Sequence, residues 1–183
     1  FRLHNDHCIF FTKVVAFFTV VPTGQWDARL EMVVNAFVLG GSLFALLYFS
    51  LRNNNRWAGL VLAILGAALF STACAWENIL QGFQSQFSFL HLFAALHLGL
   101  SLRYRDQPVK CGLAQLAGLA GVASMASGFF SALALIVLLL ARAKQEKPVP
   151  QWHWTIIGIN AAFAVLGFVI LPPPDRSQQA HSF

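Results

Sequence analysis

Met32–Leu51 reads MVVNAFVLGGSLFALLYFSL, twenty residues without one charge. A helix of that length rises about 30 Å, the thickness of a bilayer's hydrocarbon core. Moving outward along the chain, Trp57–Trp76 and Trp154–Leu171 are runs of the same kind. Apolar residues make up 57% of the chain and charged residues 10%, against about 25% charged in a soluble domain. The pattern predicts an all-α fold, a polytopic transmembrane helix bundle with about five or six spans.

One transmembrane region, 1–183, accounts for the whole sequence. Spans are expected at 31–51, 57–76, 87–102, 111–126, 127–141 and 152–171. Before the first of these, 9–21 sets Phe10, Phe11, Val14, Val15, Phe17, Phe18 and Val21 around Lys13 and ends at Pro22. It is too short to cross and follows polar residues, so it reads as a helix lying in the interface. The run 111–141 is long enough for a single tilted helix, but its centre, Ser124-Met125-Ala126-Ser127-Gly128, is small and polar. Basic residues flank both of its ends, which favours a hairpin of two short spans. Pro172, Pro173 and Pro174 cannot continue the last helix. Ala117/Gly121, Ser124/Gly128 and Gly158/Ala162 are small residues four apart, a spacing that lets helices approach closely.

Charge supplies sidedness. Eight of the twelve Lys and Arg fall in three loops, 52–56, 103–110 and 142–147, with only two of the seven acids, Asp106 and Glu146. By the positive-inside rule these loops are cytoplasmic. The other five acids, Asp6, Asp27, Glu31, Glu77 and Asp175, fall on the opposite side. Acids play no part in that rule, so their clustering asks for another cause, such as a reactive or cation-binding surface. The acidic segments are then expected to face the periplasm or an equivalent outer compartment.

Several classes are disfavoured. The net charge of +5 comes in short clusters between apolar runs, which speaks for topology and against nucleic acid. Cys8, Cys74 and Cys111 lie far apart without CxxC spacing and read as small apolar fillers. The chain opens Phe1-Arg2-Leu3-His4 with neither Met nor a cleavage signal, so it reads as an internal piece of a longer protein.

Three outer segments carry candidate chemistry. His4-Asn5-Asp6-His7 is the densest titratable cluster, and a carboxylate at the membrane edge is a candidate general base for a hydroxyl. His4 and His7 would orient it, or join Asp6 in holding a divalent cation. In Gln25–Glu31, Trp26 offers a stacking surface for a sugar and Arg29 a planar fork for a phosphate. A plainer alternative makes Trp26 an interfacial anchor and Asp27 with Arg29 a cap on the span at 31–51. In Trp76–Phe87, helical spacing would put Glu77, Gln81 and Gln84 on one face, beside Asn78, a set suited to many hydroxyls. His91 and His97 point to different faces, so a shared metal is not expected. Each is expected to hydrogen-bond within the bundle, as are Asn35 and Asn160.

An acid beyond a missing first span, an interfacial helix and a loop into the next span resemble the first outer loop of the GT-C glycosyltransferases. These are polytopic enzymes that use polyprenyl-phosphate sugars. The strings His4-Asn5-Asp6-His7, Gln25–Asn35, Trp76–Phe87 and Ser124–Gly128 are similar to a group of bacterial membrane proteins of uncharacterised activity. The resemblance covers nearly the whole chain and the front half of such an enzyme. It implies that Asp6 is the catalytic base, although many members have two adjacent acids where this chain has one. It further implies a polyprenyl-phosphate-linked sugar as donor, a membrane lipid environment and inverting transfer to a hydroxyl. His4, His7, Trp26, Asp27, Arg29, Glu77, Asn78, Gln81 and Gln84 are the expected substrate contacts. Rival expectations are a transporter or flippase of lipid-linked sugars, and a structural membrane subunit.

Overall fold

A computed structural model describes residues 10–52, 85–145 and 149–170, together with Trp57, Leu60, Val61, Ile64 and Ala68. The described residues form helices and no strand: α1 (Phe10–Thr23), α2 (Ala28–Leu51), α3 (Ser85–Arg103), α4 (Pro108–Ser124), α5 (Phe129–Gln145) and α6 (Gln151–Ile170). One 3-10 turn, Ala126–Gly128, joins α4 to α5.

Four helical stretches are long and apolar enough to cross a membrane: α2, α3, Ala126–Gln145 and α6. No more than 33% of the most apolar stretch of any of them is buried. The rest faces outward and is apolar: Val33, Phe37 and Phe44 on α2, Val137 on α5, and Val165, Phe168 and Val169 on α6 are all more than half exposed. The interior is the reverse. Sixteen polar or charged residues are buried among those described, against nine hydrophobic ones. A water-soluble protein buries its apolar surface and covers it with polar groups. This chain does the opposite, as lipid demands. It is an integral membrane helical bundle.

Helix α2 shows the pattern in one element. Glu31, Asn35 and Ser42 are buried and recur on one face, while Phe37 and Phe44 are 78% and 70% exposed on another. Helix α1 turns Thr12 and Thr19 inward and Phe17, Phe18 and Val21 outward. It continues through Pro22 to Thr23, one residue past the expected stop. At 14 residues it is shorter than a span requires. Phe11 ties it to α3 by packing on Phe89 and Phe93.

Contacts fix how the helices run. Gly41 faces Leu92, and Gly99 abuts the Phe49 ring, so α2 and α3 are parallel. Helix α4 returns antiparallel to α3: Gly121 faces Phe93, Gly118 faces His97, and Cys111 reaches Ser101. The backbone then breaks at Met125 (φ −158°, ψ 139°), and the run 111–141 lies in two helices. Gly128 rests directly on the backbone of Gly121 and Val122, where any Cβ would collide. Leu135 and Leu139 of α5 pack with Cys111 of α4 and Ile156 of α6, and Leu102 and Trp152 join this small core. At the other end, Gly167 of α6 lies against Ala126 and Phe129. Arg52, Arg103, Lys110, Arg142 and Lys144 therefore gather at one end of the bundle. The starts of α2 and α3 and the Met125 break gather at the other.

Of the six expected spans, 57–76 lies outside the described residues except at five helical positions.

Candidate functional site

Two polar groupings stand out. The first joins α1 to the start of α3. Thr12 Oγ1 donates to Gln86 Oε1 at 3.3 Å and lies 2.9 Å from Ser85 Oγ. A carboxamide oxygen only accepts, so the Thr12 proton goes to Gln86 and Ser85 donates to Thr12. Ser85, Gln86 and Ser88 are all buried in the first turns of α3. Parallel packing brings the first turns of α2 to the same end, where Glu31 is 3% and Asn35 0% exposed. Large polar groups this well buried in an apolar bundle mark function or interhelical adhesion.

The second grouping lies deeper and ties four helices. Gln115 of α4 is its hub. Its amide nitrogen donates to Ser101 Oγ at 3.1 Å and to the Cys111 carbonyl at 3.0 Å. Because that carbonyl only accepts, the amide orientation is settled and Oε1 points the other way. Oε1 receives Asn160 Nδ2 from α6 at 2.7 Å and His97 Nε2 from α3 at 3.1 Å. Nε2 of His97 therefore carries the proton. Nδ1 lies 3.1 Å from Ser131 Oγ of α5, which is also 2.8 Å from the Gly128 carbonyl, so one hydroxyl proton serves two acceptors. The second hydrogen of the Asn160 amide goes to the Ile156 carbonyl at 2.8 Å. Asn160 Oδ1 is buried with no partner. His97 and Asn160 are both 0% exposed. The His97 ring sits on Gly118, where an added Cβ would come within 2.8 Å of it.

This second grouping is closed to solvent. Its chemistry is adhesion, a polar lock between α3, α4, α5 and α6. His153 is buried in the adjacent turn of α6, its Nε2 unpaired and its ring edge-on to Trp152 at 4.2 Å between centroids.

The candidate residues from the outer segments divide in two. His4, Asp6, His7, Glu77, Asn78, Gln81 and Gln84 lie outside the described residues. Trp26, Asp27 and Arg29 lie at the entry to α2. Asp27 is the N-cap of that helix: Oδ1 accepts from Arg29 N at 2.8 Å and from Leu30 N at 3.4 Å. Its carboxylate is thus committed to backbone amides and to the positive end of the helix dipole. Trp26 is 62% exposed and Arg29 is exposed. Among the described residues, no three His, Cys, Asp or Glu side chains are grouped to hold a metal ion.

Asn160 bonds between helices as expected, whereas His91 is exposed and its Nδ1 lies 2.6 Å from the Phe87 carbonyl of its own helix. Gly158 is also exposed, with nothing within 4 Å of an added Cβ, so the Gly158/Ala162 pair does not seat a described helix. Gln115, Ser101 and Ser131 had no distinguishing sign in the sequence; a lone amide inside an apolar run was the available signal. Comparison with protein families, curated proteins and solved structures returns no match.

Proposed function

We propose that the chain is part of a polytopic glycosyltransferase that moves a sugar from a polyprenyl-phosphate donor to a hydroxyl acceptor at the outer face of a bacterial inner membrane. The observation that carries this reading is the junction of Thr12 with Ser85 and Gln86. It holds the starts of α1 and α3 together. Asp6 precedes Phe10 by four residues, so chain geometry keeps it within about 14 Å of Phe10. Gln84 is bonded directly to Ser85. In this reading the two polar segments, 4–7 and 77–84, serve that same end of the bundle. That end also receives Trp26, Arg29 and the buried Glu31. The basic residues lie at the opposite end, which supports a cytoplasmic placement for them.

In this reading Asp6 takes the proton of the acceptor hydroxyl as its oxygen attacks the anomeric carbon. The bond from that carbon to the phosphate oxygen breaks, and polyprenyl phosphate leaves. Arg29 offsets the charge developing on the phosphate. Trp26 stacks on the sugar, and Glu77, Asn78, Gln81 and Gln84 take its hydroxyls. His4 and His7 tune Asp6 or hold a divalent cation with it. Asp27 contributes by fixing the first turn of α2. The test is sugar transfer by the full-length protein with Asp6→Asn. General-base catalysis contributes about 10²–10⁴-fold, so a loss of at least that lower order is expected. Undiminished transfer removes the mechanism.

The second reading is a transporter or flippase of lipid-linked sugars. It needs a polar path through the spans, whereas His97, Gln115 and Asn160 are spent on bonding one another. Proteoliposomes separate the two: a flippase moves the donor across with its sugar–phosphate bond intact, whereas the transferase breaks that bond.

A further inference from the structure

The basic end of the bundle holds more than a topology signal. Leu102, Cys111, Leu139 and Trp152 share one packed core just beneath it. Arg103 and Lys110 are the chain neighbours of Leu102 and Cys111, and Arg142 follows Leu139 by three residues. Arg103 and Lys110 thus flank the short turn between α3 and α4, and Arg142 lies one turn beyond the Leu139 that packs with Cys111. Lys110 Nζ stands 4.9 Å from the centre of the Tyr104 ring, which holds it over the α3–α4 turn. The first turn of α4 is itself uncapped: Gln107, its N-cap, makes no side-chain hydrogen bond to the amides there. Pro108 takes the first helical position and has no N–H, so the outward donors of this turn are the amides of Val109 and Lys110, at the positive end of the helix dipole. Running away from this point, Val109, Leu113 and Leu116 are 76%, 61% and 63% exposed, at i, i+4 and i+7 on one face of α4.

We infer that the start of α4 is a binding site for an anionic phospholipid. Its phosphate would meet the first-turn amides, Lys110 and Arg103, with Arg142 nearby, and its acyl chains would lie along Val109, Leu113 and Leu116. Charge complementarity selects an anionic headgroup over a zwitterionic one. The apolar stripe that begins at the cations selects a lipid over free phosphate, because a free ion has no use for it. This site is independent of the glycosyl-transfer reading and lies at the opposite end of the bundle.

The experiment reconstitutes the purified full-length protein in nanodiscs of phosphatidylcholine doped with phosphatidylglycerol and reads retained lipid by native mass spectrometry. Each basic residue near a charged surface is worth about fivefold in affinity, so R103Q/K110Q is expected to cut phosphatidylglycerol retention on the order of 30-fold. Arg52→Gln, at the same end but on α2, is expected to leave it unchanged. All three side chains are exposed, so helicity should be preserved in both variants. Retention unaffected by R103Q/K110Q, or equally reduced by Arg52→Gln, overturns the site. So does displacement of the lipid by an excess of inorganic phosphate, which would make the ligand a free anion.

Discussion

At Gln115 one side chain accepts two hydrogen bonds and donates two, and its partners come from two helices besides its own backbone. Gln115→Leu keeps the volume and strands two buried donors, His97 Nε2–H and Asn160 Nδ2–H. Leaving such groups unmet costs about 1–3 kcal/mol. The loss should appear as a lower unfolding midpoint in a bilayer mimetic. Ser131→Ala, which removes one weaker partner, should cost nearer 0.6 kcal/mol, roughly the average for hydrogen bonds between membrane helices. Gly118 gives a matched pair with Gly112. An alanine at 118 meets the His97 ring and should destabilise by about 1–3 kcal/mol. An alanine at 112 meets nothing within 4 Å and should stabilise by about 0.5–1 kcal/mol through helix propensity. Equal effects at 112 and 118 would show that the ring contact does not matter. That this cluster is hard to read from sequence is also a matter of residues. Gln115 lies 18, 14 and 45 positions from His97, Ser101 and Asn160. Pairing over such separations depends on which helices are neighbours, and spacing along a single run carries no such information. Asn160 was legible as a bonding group because a carboxamide in a span must find some partner; the identity of that partner was not.

At the scale of elements, helices were the readable part. The run that opens the sequence reading lies inside α2, and α2 starts where Asp27 can cap it. Asp27→Ala should cost about 0.5–2 kcal/mol, and Asp27→Asn should cost little, because asparagine caps as well. Activity that falls in both variants alike would mean that the carboxylate's charge, and not the cap, is what matters. The break at Met125 was visible as a patch of small polar residues, because such a patch interrupts an apolar run without offering a face. What pattern could not supply was the close seating of Gly128 on Gly121, since three of the small-residue pairs looked alike. Gly121 and Gly128 lie at a helix contact, and Gly158 faces outward. The entry to α2 shows the same limit for the outer site. Substrate contact and helix cap are both open readings of Asp27 in the sequence, and the geometry binds its carboxylate to backbone amides as a cap.

At the scale of the molecule, the two ends differ in kind. One carries Arg103, Lys110, Arg142 and Lys144; the other carries Thr12, Glu31, Ser85 and Gln86. If the bundle crosses the membrane as it is built, single cysteines should report two sides. In a background with Cys8, Cys74 and Cys111 replaced by alanine, Lys110→Cys and Lys144→Cys should react with an impermeant maleimide from one side, and Trp26→Cys from the other. Labelling of Lys144→Cys and Trp26→Cys from the same side would contradict the arrangement. The lock between α3, α4, α5 and α6 has one more consequence, which concerns how the protein is made. Asn160 is the last of its members to leave the ribosome, 45 residues after Gln115. Until α6 is inserted, the Gln115 oxygen lacks one donor, and the core around Cys111 and Leu139 lacks the wall that Ile156 provides. Insertion of α6 thus coincides with closure of this part of the interior. A nascent chain halted before Gln151 would present an open polar seam to the membrane's proteases, a mark by which copies lacking α6 can be told from those that have it.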